Sequence, residues 1–364
     1  MLLLKKAFGQ KGDLLAPRRQ RARGVKYNMS VSIIMKTLNE EKRIAAAIES
    51  ALAALSQDVE KGKSEIIVAD SGSTDRTIEI ASQYPVTVVQ IEAPAKPSCG
   101  IGPQLGFQYS HNEFICLMDG DMLLDKDFLA AAIAFLKANP RAAGVTGHVV
   151  EMNVDNLEFT RRVRRVSPEN RIGPLDRMNG GGLYRRSAIE EAGYFSDRNL
   201  HGYEEFDLGV RLRALGWSLH RLDRRFVSHF GHSINAYKLL VKRWQSKYLR
   251  GVGELLRAAW GKPYWNNLLK ELPELRLWAG VYAWWLAMLA LLVFLPDKKW
   301  AIAIDLAAII FVIAIMSLKQ RSLPLGFYAV VAWCFHAAAL PLGFFHPRRA
   351  PDARIESRVI SKPR

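Results

Sequence analysis

Cysteine is scarce in this chain of 364 residues: Cys99, Cys116 and Cys334 stand apart, with no C-x-x-C pair. Three scattered thiols exclude a disulfide scaffold and a cysteine-based zinc site, and they suit a reducing compartment. Acids are short as well, with 35 Asp plus Glu against 51 Lys plus Arg and a formal net charge of +16. That balance favours anionic partners: nucleic acid, an acidic membrane surface or phosphate-bearing molecules. The first residues, MLLLKKAFGQ, lack the apolar h-region of a secretory signal. From Pro17 to Asn28 there is no acid beside Arg18, Arg19, Arg21, Arg23 and Lys26, so residues 1–28 read as a disordered basic arm. No internal repeat or low-complexity block is present.

Long apolar runs are missing until about residue 275, and then three follow: Leu277–Leu295, Trp300–Leu318 and Leu325–Phe345. Each approaches the roughly 20 residues that span a bilayer. Tryptophans in the first run and at the start of the second resemble an interfacial belt. One such run alone is equally a buried core helix; three in succession point to membrane embedding. Upstream, Tyr237, Leu240, Val241, Trp244, Tyr248, Val252 and Leu255 recur at helical spacing among Lys238, Lys242, Arg243, Lys247 and Arg250. A basic amphipathic helix of this kind, directly before the apolar stretches, is expected to lie in a membrane interface, the plain alternative being a domain helix packed on the sheet.

Before residue 235 the pattern is different. VSIIMK (31–36), EIIVAD (65–70), VTVVQI (86–91) and EFICLM (113–118) are apolar, mostly branched runs separated by helical patterns. Strands alternating with helices predict a buried, mostly parallel sheet of the α/β class. Ligands of such sheets bind at the carboxyl ends of the strands. Three of those ends are acidic: TLNEE, Asp70 before SGSTD, and Asp119-Gly120-Asp121. Simpler readings compete locally. Asp-Gly between apolar runs is also a type I′ hairpin signal. Thr37 and Glu40 fit a capping box, and Ser73 or Thr74 fits a helix cap. Neither explains carboxylates closing two apolar strands. CGIGPQLGF imitates a dinucleotide fingerprint, but a proline-bearing loop precedes it instead of a strand.

The succession of an N-E strand end, D-S-G-S-T-D-R-T and D-x-D resembles the family 2 glycosyltransferases of the GT-A fold. MNGGGLYRRSAIEEAGYF (178–195) is similar to that family's acceptor-side segment. YEEFDLGVRLRALGW (203–217) is similar to its E-D-x-x-L-x-x-R-L-x-x-x-G-W helix. The resemblance covers about residues 30–260. It implies a nucleotide-sugar donor near Asn39, Glu40, Asp70 and Asp119, with Asp70 at the base and Asp119 at the nucleoside end. It implies Mg²⁺ or Mn²⁺ on Asp121 and Asp119, and a general base at Glu205, with Glu204 as its rival. Two departures stand out. The usual E-D pair reads Glu204-Glu205, and the usual R-N-x-G loop reads Pro103-Gln104-Leu105-Gly106. Arg243-Trp244 lacks the fuller Q-x-x-R-W of processive synthases.

The remaining candidates are basic or imidazole groups. Arg161 and Arg162, within an arginine-rich stretch, and Arg243 with Trp244 are candidates for an acceptor or phosphate. His229 and His232 are candidates for a further metal ligand, against the plain reading of structural histidines. The expected organisation is a basic arm (1–28), a GT-A domain (29–235), interfacial helices (236–274), a membrane region (275–346) and a basic tail (347–364). The expected activity is an inverting transfer of sugar to a lipid-linked or membrane-presented acceptor, with the catalytic domain on the cytoplasmic face of an inner or plasma membrane. No nucleic acid is expected as a partner. The rival reading is a membrane-anchored adaptor that binds nucleic acid or anionic lipid without turnover. The basic tail predicts a cytoplasmic carboxyl terminus, with two full spans and the Pro341-interrupted third stretch re-entrant or interfacial.

Overall fold

The computed structural model describes residues 30–58, 63–152, 171–231 and 235–363. Strands and helices alternate first: β1 (Val31–Thr37), α1 (Ile44–Asp58), β2 (Glu65–Asp70), α2 (Thr77–Ala81), β3 (Thr87–Ile91), α3 (Ile101–Tyr109) and β4 (Phe114–Asp119). The strands are the branched apolar runs of the sequence. They are buried along nearly their whole length, as a parallel sheet covered on both faces requires. Pairing is parallel in the order β3-β2-β1-β4. Ile33 and Met35 face α1 in one core layer, while Ile34 faces α3 in the other.

The second half of the sheet comes from β5 (Met122–Leu124), β6 (Ala142–Glu151), β7 (Gly173–Leu175), β8 (Gly182–Arg185) and β9 (Ser218–His229). Between them lie α4 (Phe128–Ala138), α5 (Arg186–Glu191) and α6 (Glu204–Ala214). β8 joins β4 antiparallel, β6 runs parallel to β9, and β5 pairs antiparallel with β9. The hairpin reading of residues 114–124 therefore fails. Met122 pairs opposite His229, not back onto β4. The capping-box reading of Thr37 fails too, because its hydroxyl donates across the sheet to Asp70 Oδ2 at 3.2 Å. The glycines of CGIGPQLGF serve packing: a Cβ on Gly106 would sit 2.2 Å from Ile34 Cγ2, so α3 lies close on β1.

Beyond β9 the chain is helical: α7 (Ala236–Gln245), α8 (Gly251–Ala259), α9 (Trp265–Lys270), α10 (Glu274–Phe294), α11 (Lys298–Gln320) and α12 (Leu323–Phe344). The last three are long and apolar enough to cross a membrane. They differ in surroundings: 39% of the most apolar window of α12 is buried within the chain, against 11% for α10 and 17% for α11. α12 lies along α7 and α8, with Tyr328 edge-on to Tyr237 and Phe335 edge-on to Trp244. The chain then returns to the sheet. β10 (Ser357–Ser361) pairs antiparallel with β3, and Ile355 is 1% exposed in the core. The basic tail is thus an edge strand of the central sheet.

Candidate active site

The strand order places β2 and β3 on one side of β1 and β4 on the other. Crevices that bind ligands in open α/β sheets form at such switch points, beyond the carboxyl ends of the strands. Register brings the groups together there. Lys36 pairs beside Asp119, and Thr37 beside Asp70. Residues level on adjacent strands share a face, so Lys36 Nζ lies 3.2 Å from Asp119 Oδ1. The same ammonium lies 3.2 Å from Glu204 Oε1, at the first turn of α6. Lys36 is the group that sequence reasoning missed. Its signal was a lysine closing a strand that is otherwise buried.

Glu204 and Glu205 part company at the start of α6. Glu204 turns to Lys36, whereas Glu205 Oε2 and Oε1 accept the N–H groups of Gly180 (3.0 Å) and Gly181 (2.7 Å) in the MNGGG loop. Gly181 can be nothing else: its φ is +93°, and a Cβ would meet Leu117 O at 2.1 Å. Burial, together with the charges of Glu204 and Asp119, pushes the Glu205 carboxyl up to about 7 against the opposing pull of Lys36. Burial alone would lower the Lys36 ammonium, but its carboxylate neighbours hold it well above the ordinary lysine range. Tyr203, which precedes the pair, is held at φ +68°. Such strain in a residue with a side chain persists only where the surroundings impose it.

Asp121 lies across the crevice. His229 Nε2 is 3.3 Å from Asp121 Oδ2, while its Nδ1 bonds Glu151 Oε2 at 2.6 Å. Burial opposes the charged ring, but the two carboxylates win and push the imidazole up to about 10. Glu40, near Asp121 and Asp119, is pushed up to about 7 by burial first and then by those neighbours. A divalent ion fits this donor set. Two carboxylates one residue apart supply hard oxygen, and His229, its Nδ1 fixed by Glu151, would join them on losing the proton its Nε2 shares with Asp121. Asp119 Oδ1 is buried without a hydrogen-bond partner, paired only by charge with Lys36. Among the described residues no group of three or more metal-ligating side chains is already assembled. Oxygens from a bound phosphate would complete the shell.

Asp70 has another visible task. It is fully buried, its Oδ1 accepts from Gly72 N, Ser73 N and Gln90 Nε2, and its Oδ2 from Thr37 and Ser73 hydroxyls. It fixes the turn that floors the crevice. Asn39, at φ 59°, latches that turn to β1 by accepting Thr74 N–H at 2.8 Å and donating its own N–H to Ser73 Oγ at 2.8 Å. Arg243 and Trp244 are not brought to the carboxylates. Arg243 stacks over Tyr248 and Trp244 packs on α12. Arg161, Arg162 and His232 lie outside the described residues.

Comparison with known proteins agrees with this geometry. A family model described as Glycosyl transferase family 2 matches residues 32–193, and one described as Glycosyl transferase family group 2 matches residues 114–345. The chain is 26% identical over 276 residues to Glucomannan 4-beta-mannosyltransferase 2 of Arabidopsis thaliana, covering 69% of this chain and 51% of that protein. It is 22% identical over 206 residues to Poly-beta-1,6-N-acetyl-D-glucosamine synthase of Staphylococcus epidermidis, covering 53% and 46%. The chain spans about half the length of these curated relatives. A mannosyltransferase of Pyrobaculum calidifontis, solved with GDP-Man and Mn²⁺, superposes with a TM-score of 0.56 at 19% identity, covering 87% of this chain and 88% of that one. The crevice, the segment order and the breadth of the match lead to one statement: the chain is a member of glycosyltransferase family 2, built on the GT-A fold and followed by helices capable of crossing a membrane.

Proposed function

We propose that this protein is a membrane-attached, metal-dependent, inverting glycosyltransferase that moves a sugar from a nucleoside diphosphate to a lipid-linked or membrane-presented acceptor in polysaccharide synthesis. The observation that supports it most is the meeting, in one crevice, of Asp119 at the end of β4 and Asp121 just beyond it with Glu204 and Glu205 from α6, Lys36 bridging Asp119 and Glu204. The relatives named above are a glucomannan 4-beta-mannosyltransferase and a poly-beta-1,6-N-acetyl-D-glucosamine synthase, and the structural neighbour was solved with a nucleotide sugar.

Asp121 and Asp119, with His229 beside them, would hold Mg²⁺ or Mn²⁺. When bound, the ion neutralises charge on the leaving diphosphate. The rim of Asn39, Glu40 and the Asp70 turn would receive the nucleoside. Glu205 is the base. Two N–H donors orient its carboxylate and leave lone pairs free for an acceptor hydroxyl. An apparent pKa near 7 suits a base at neutral pH. The acceptor oxygen attacks the anomeric carbon, the bond to the diphosphate oxygen breaks, and the hydroxyl proton passes to Glu205. Attack from the face opposite the leaving group inverts that carbon.

The catalytic domain is placed on the cytoplasmic face, where nucleotide sugars are found, and the fold keeps the basic tail on that same side. β10 belongs to the same sheet as the crevice, so both ends of the α10–α12 segment lie on its side. An odd number of full crossings is incompatible with that. α10 and α11 would cross, and α12, pressed along α7 and α8, would lie in the interface.

The test uses full-length protein in native membranes, labelled nucleotide sugars, and Mn²⁺, Mg²⁺ or chelator, with label sought in lipid and polymer fractions. Glu205→Gln should lower turnover by about two to four orders of magnitude, with donor affinity nearly kept. In the wild type, activity should rise through an acid limb near pH 7. If Glu204→Gln gives that loss while Glu205→Gln stays active, the base is Glu204. No transfer with any donor would favour the adaptor.

A further inference from the structure

A second cluster of cations lies where α12 ends. A cleft of about 350 Å³ is lined there by Arg257, Phe344, Phe345, His346, Pro347 and Arg348. Its wall is a close crossing of α8 on α12: a Cβ on Gly253 would fall 2.1 Å from Leu340 O, and one on Gly343 2.2 Å from Arg250 O. Both helices are therefore fixed in place around the cleft.

Its charges are unevenly matched. Arg348 is paired with buried Asp197 and donates to Glu254 O at 3.3 Å. Arg257 has no carboxylate partner among the described residues; its guanidinium sits 5.8 Å from the Phe344 ring. Lys247 Nζ lies 3.2 Å from His346 Nε2, and no carboxylate among the described residues pairs with it. The imidazole can accept from the ammonium there, since its Nδ1 is 2.9 Å from Pro347 O and donates to it. Arg257 thus lines the cleft without a counter-charge, and Lys247 stands beside it, behind His346 of the lining.

The surroundings say where such a charge would come from. Phe345 is 79% exposed and Trp260 is 60% exposed, the latter edge-on to both Phe344 and Trp265. Exposed aromatic rings beside cations, at the end of an apolar helix, are the composition of a membrane interface. Basic pockets at that depth bind lipid head groups. α10 begins at the same level, as the stacking of Trp278 on His336 and the bond from Tyr282 Oη to Ala337 O (2.5 Å) establish.

We propose that this cleft binds the phosphate of an anionic bilayer lipid, held by Arg257 and Lys247, with the acyl chains passing Phe345 and Trp260. Its occupant is a resident lipid that seats α12 and the tail against the membrane, not a reactant of the transfer.

The test is a binding measurement, so its outcome does not depend on the transferase reading. Detergent-solubilised full-length protein is titrated with short-chain phosphatidylglycerol, phosphatidylcholine and inorganic phosphate, reading thermal stability. Brominated chains add a second signal through quenching of indole fluorescence, tested against Trp260→Phe. Phosphatidylglycerol should stabilise the protein and quench Trp260, and high salt should weaken both effects. Arg257→Gln with Lys247→Gln should weaken binding about tenfold or more, as loss of charge-assisted hydrogen bonds does. Arg257→Lys should keep most of it. Arg257 lines the cleft and Lys247 adjoins it through His346, and unchanged melting without lipid would show the variants fold. Equal binding of phosphatidylcholine, equal binding by the double variant, or inorganic phosphate acting as strongly as the lipid would each overturn the proposal.

Discussion

Replacing Lys36 by methionine keeps the length of the side chain and removes the one positive charge between Asp119 and Glu204. Each contact is 3.2 Å long, worth about 5 kcal/mol of attraction at an effective dielectric near 20. Much of that is offset by the desolvation of the three groups, whose side chains are 20%, 32% and 11% exposed. What the substitution leaves is a set of crowded carboxylates with no cation, and breaking a buried pair from one side costs about 3–5 kcal/mol. Partial exposure trims this to about 3 kcal/mol. For a domain of this size that corresponds to roughly a 6–12 °C fall in melting temperature. The measurement is thermal unfolding in chelator by near-ultraviolet circular dichroism. The pH dependence has a definite sign. Carboxyls raised above their unfolded values bind more protons folded than unfolded, so stability falls as pH rises through that window. Lys36→Met should therefore lose most at pH 7 and above, and recover toward pH 5. Lys36 also holds Glu205 down, so the acid limb of activity should move to higher pH in the variant. An unchanged melting temperature together with an unmoved limb would refute the bridge.

Three further outcomes are expected. Gly181→Ala should lower stability by about 3 kcal/mol or more, since φ is +93° and Leu117 O stands 2.1 Å from the new Cβ. Gly173→Ala, at φ +101° in open space, should cost only about 1 kcal/mol; equal melting shifts would sink the clash argument. Arg358→Ala should raise donor KM about three- to tenfold with kcat unchanged, because Arg358 Nη2 donates to Gln90 Oε1 (3.1 Å) and so turns Gln90 Nε2 onto Asp70; an unaltered KM would free the tail from any part in donor binding. A carboxyl-terminal tag on the protein in intact cells should resist external protease and be cut only after the membrane is opened, and early loss would show that the tail lies outside.

How much of this was legible depended on the range over which each feature is encoded. β1, β2, β3 and β4 could be read from local runs of branched residues, and the D-x-D from its position at a run's end. What escaped was set by register between distant segments. Lys36 is unremarkable until β1 and β4 pair it with Asp119. Glu151 matters only because β6 runs parallel to β9 and places it opposite His229. Gln90 and Arg358 become neighbours through a strand that arrives from the far end of the chain. The hairpin alternative looked equal in sequence, because Asp-Gly turns and strand-end acids share the same two letters. It lost to β9, which takes β5 as its partner.

The three apolar helices carry the same lesson in a different form. Hydropathy measures whether a helix can leave water, and α10, α11 and α12 all qualify. It does not say what replaces the water. For α12 a large part of the replacement is protein: Tyr237, Trp244 and the backbone of α8 cover one side. The tail that follows has a sequence of mixed polarity that no window would single out. Yet Ser357–Ser361 closes the edge of β3, and Arg198 and Arg349 both bind Glu356 at 3.1 Å to hold it there. Pairing an edge strand satisfies a row of backbone groups that would otherwise face water or another chain. That ladder keeps the tail with the crevice more firmly than its charge could. A strand bound to the sheet that forms the crevice stays with the crevice, and the number of crossings between them has to be even.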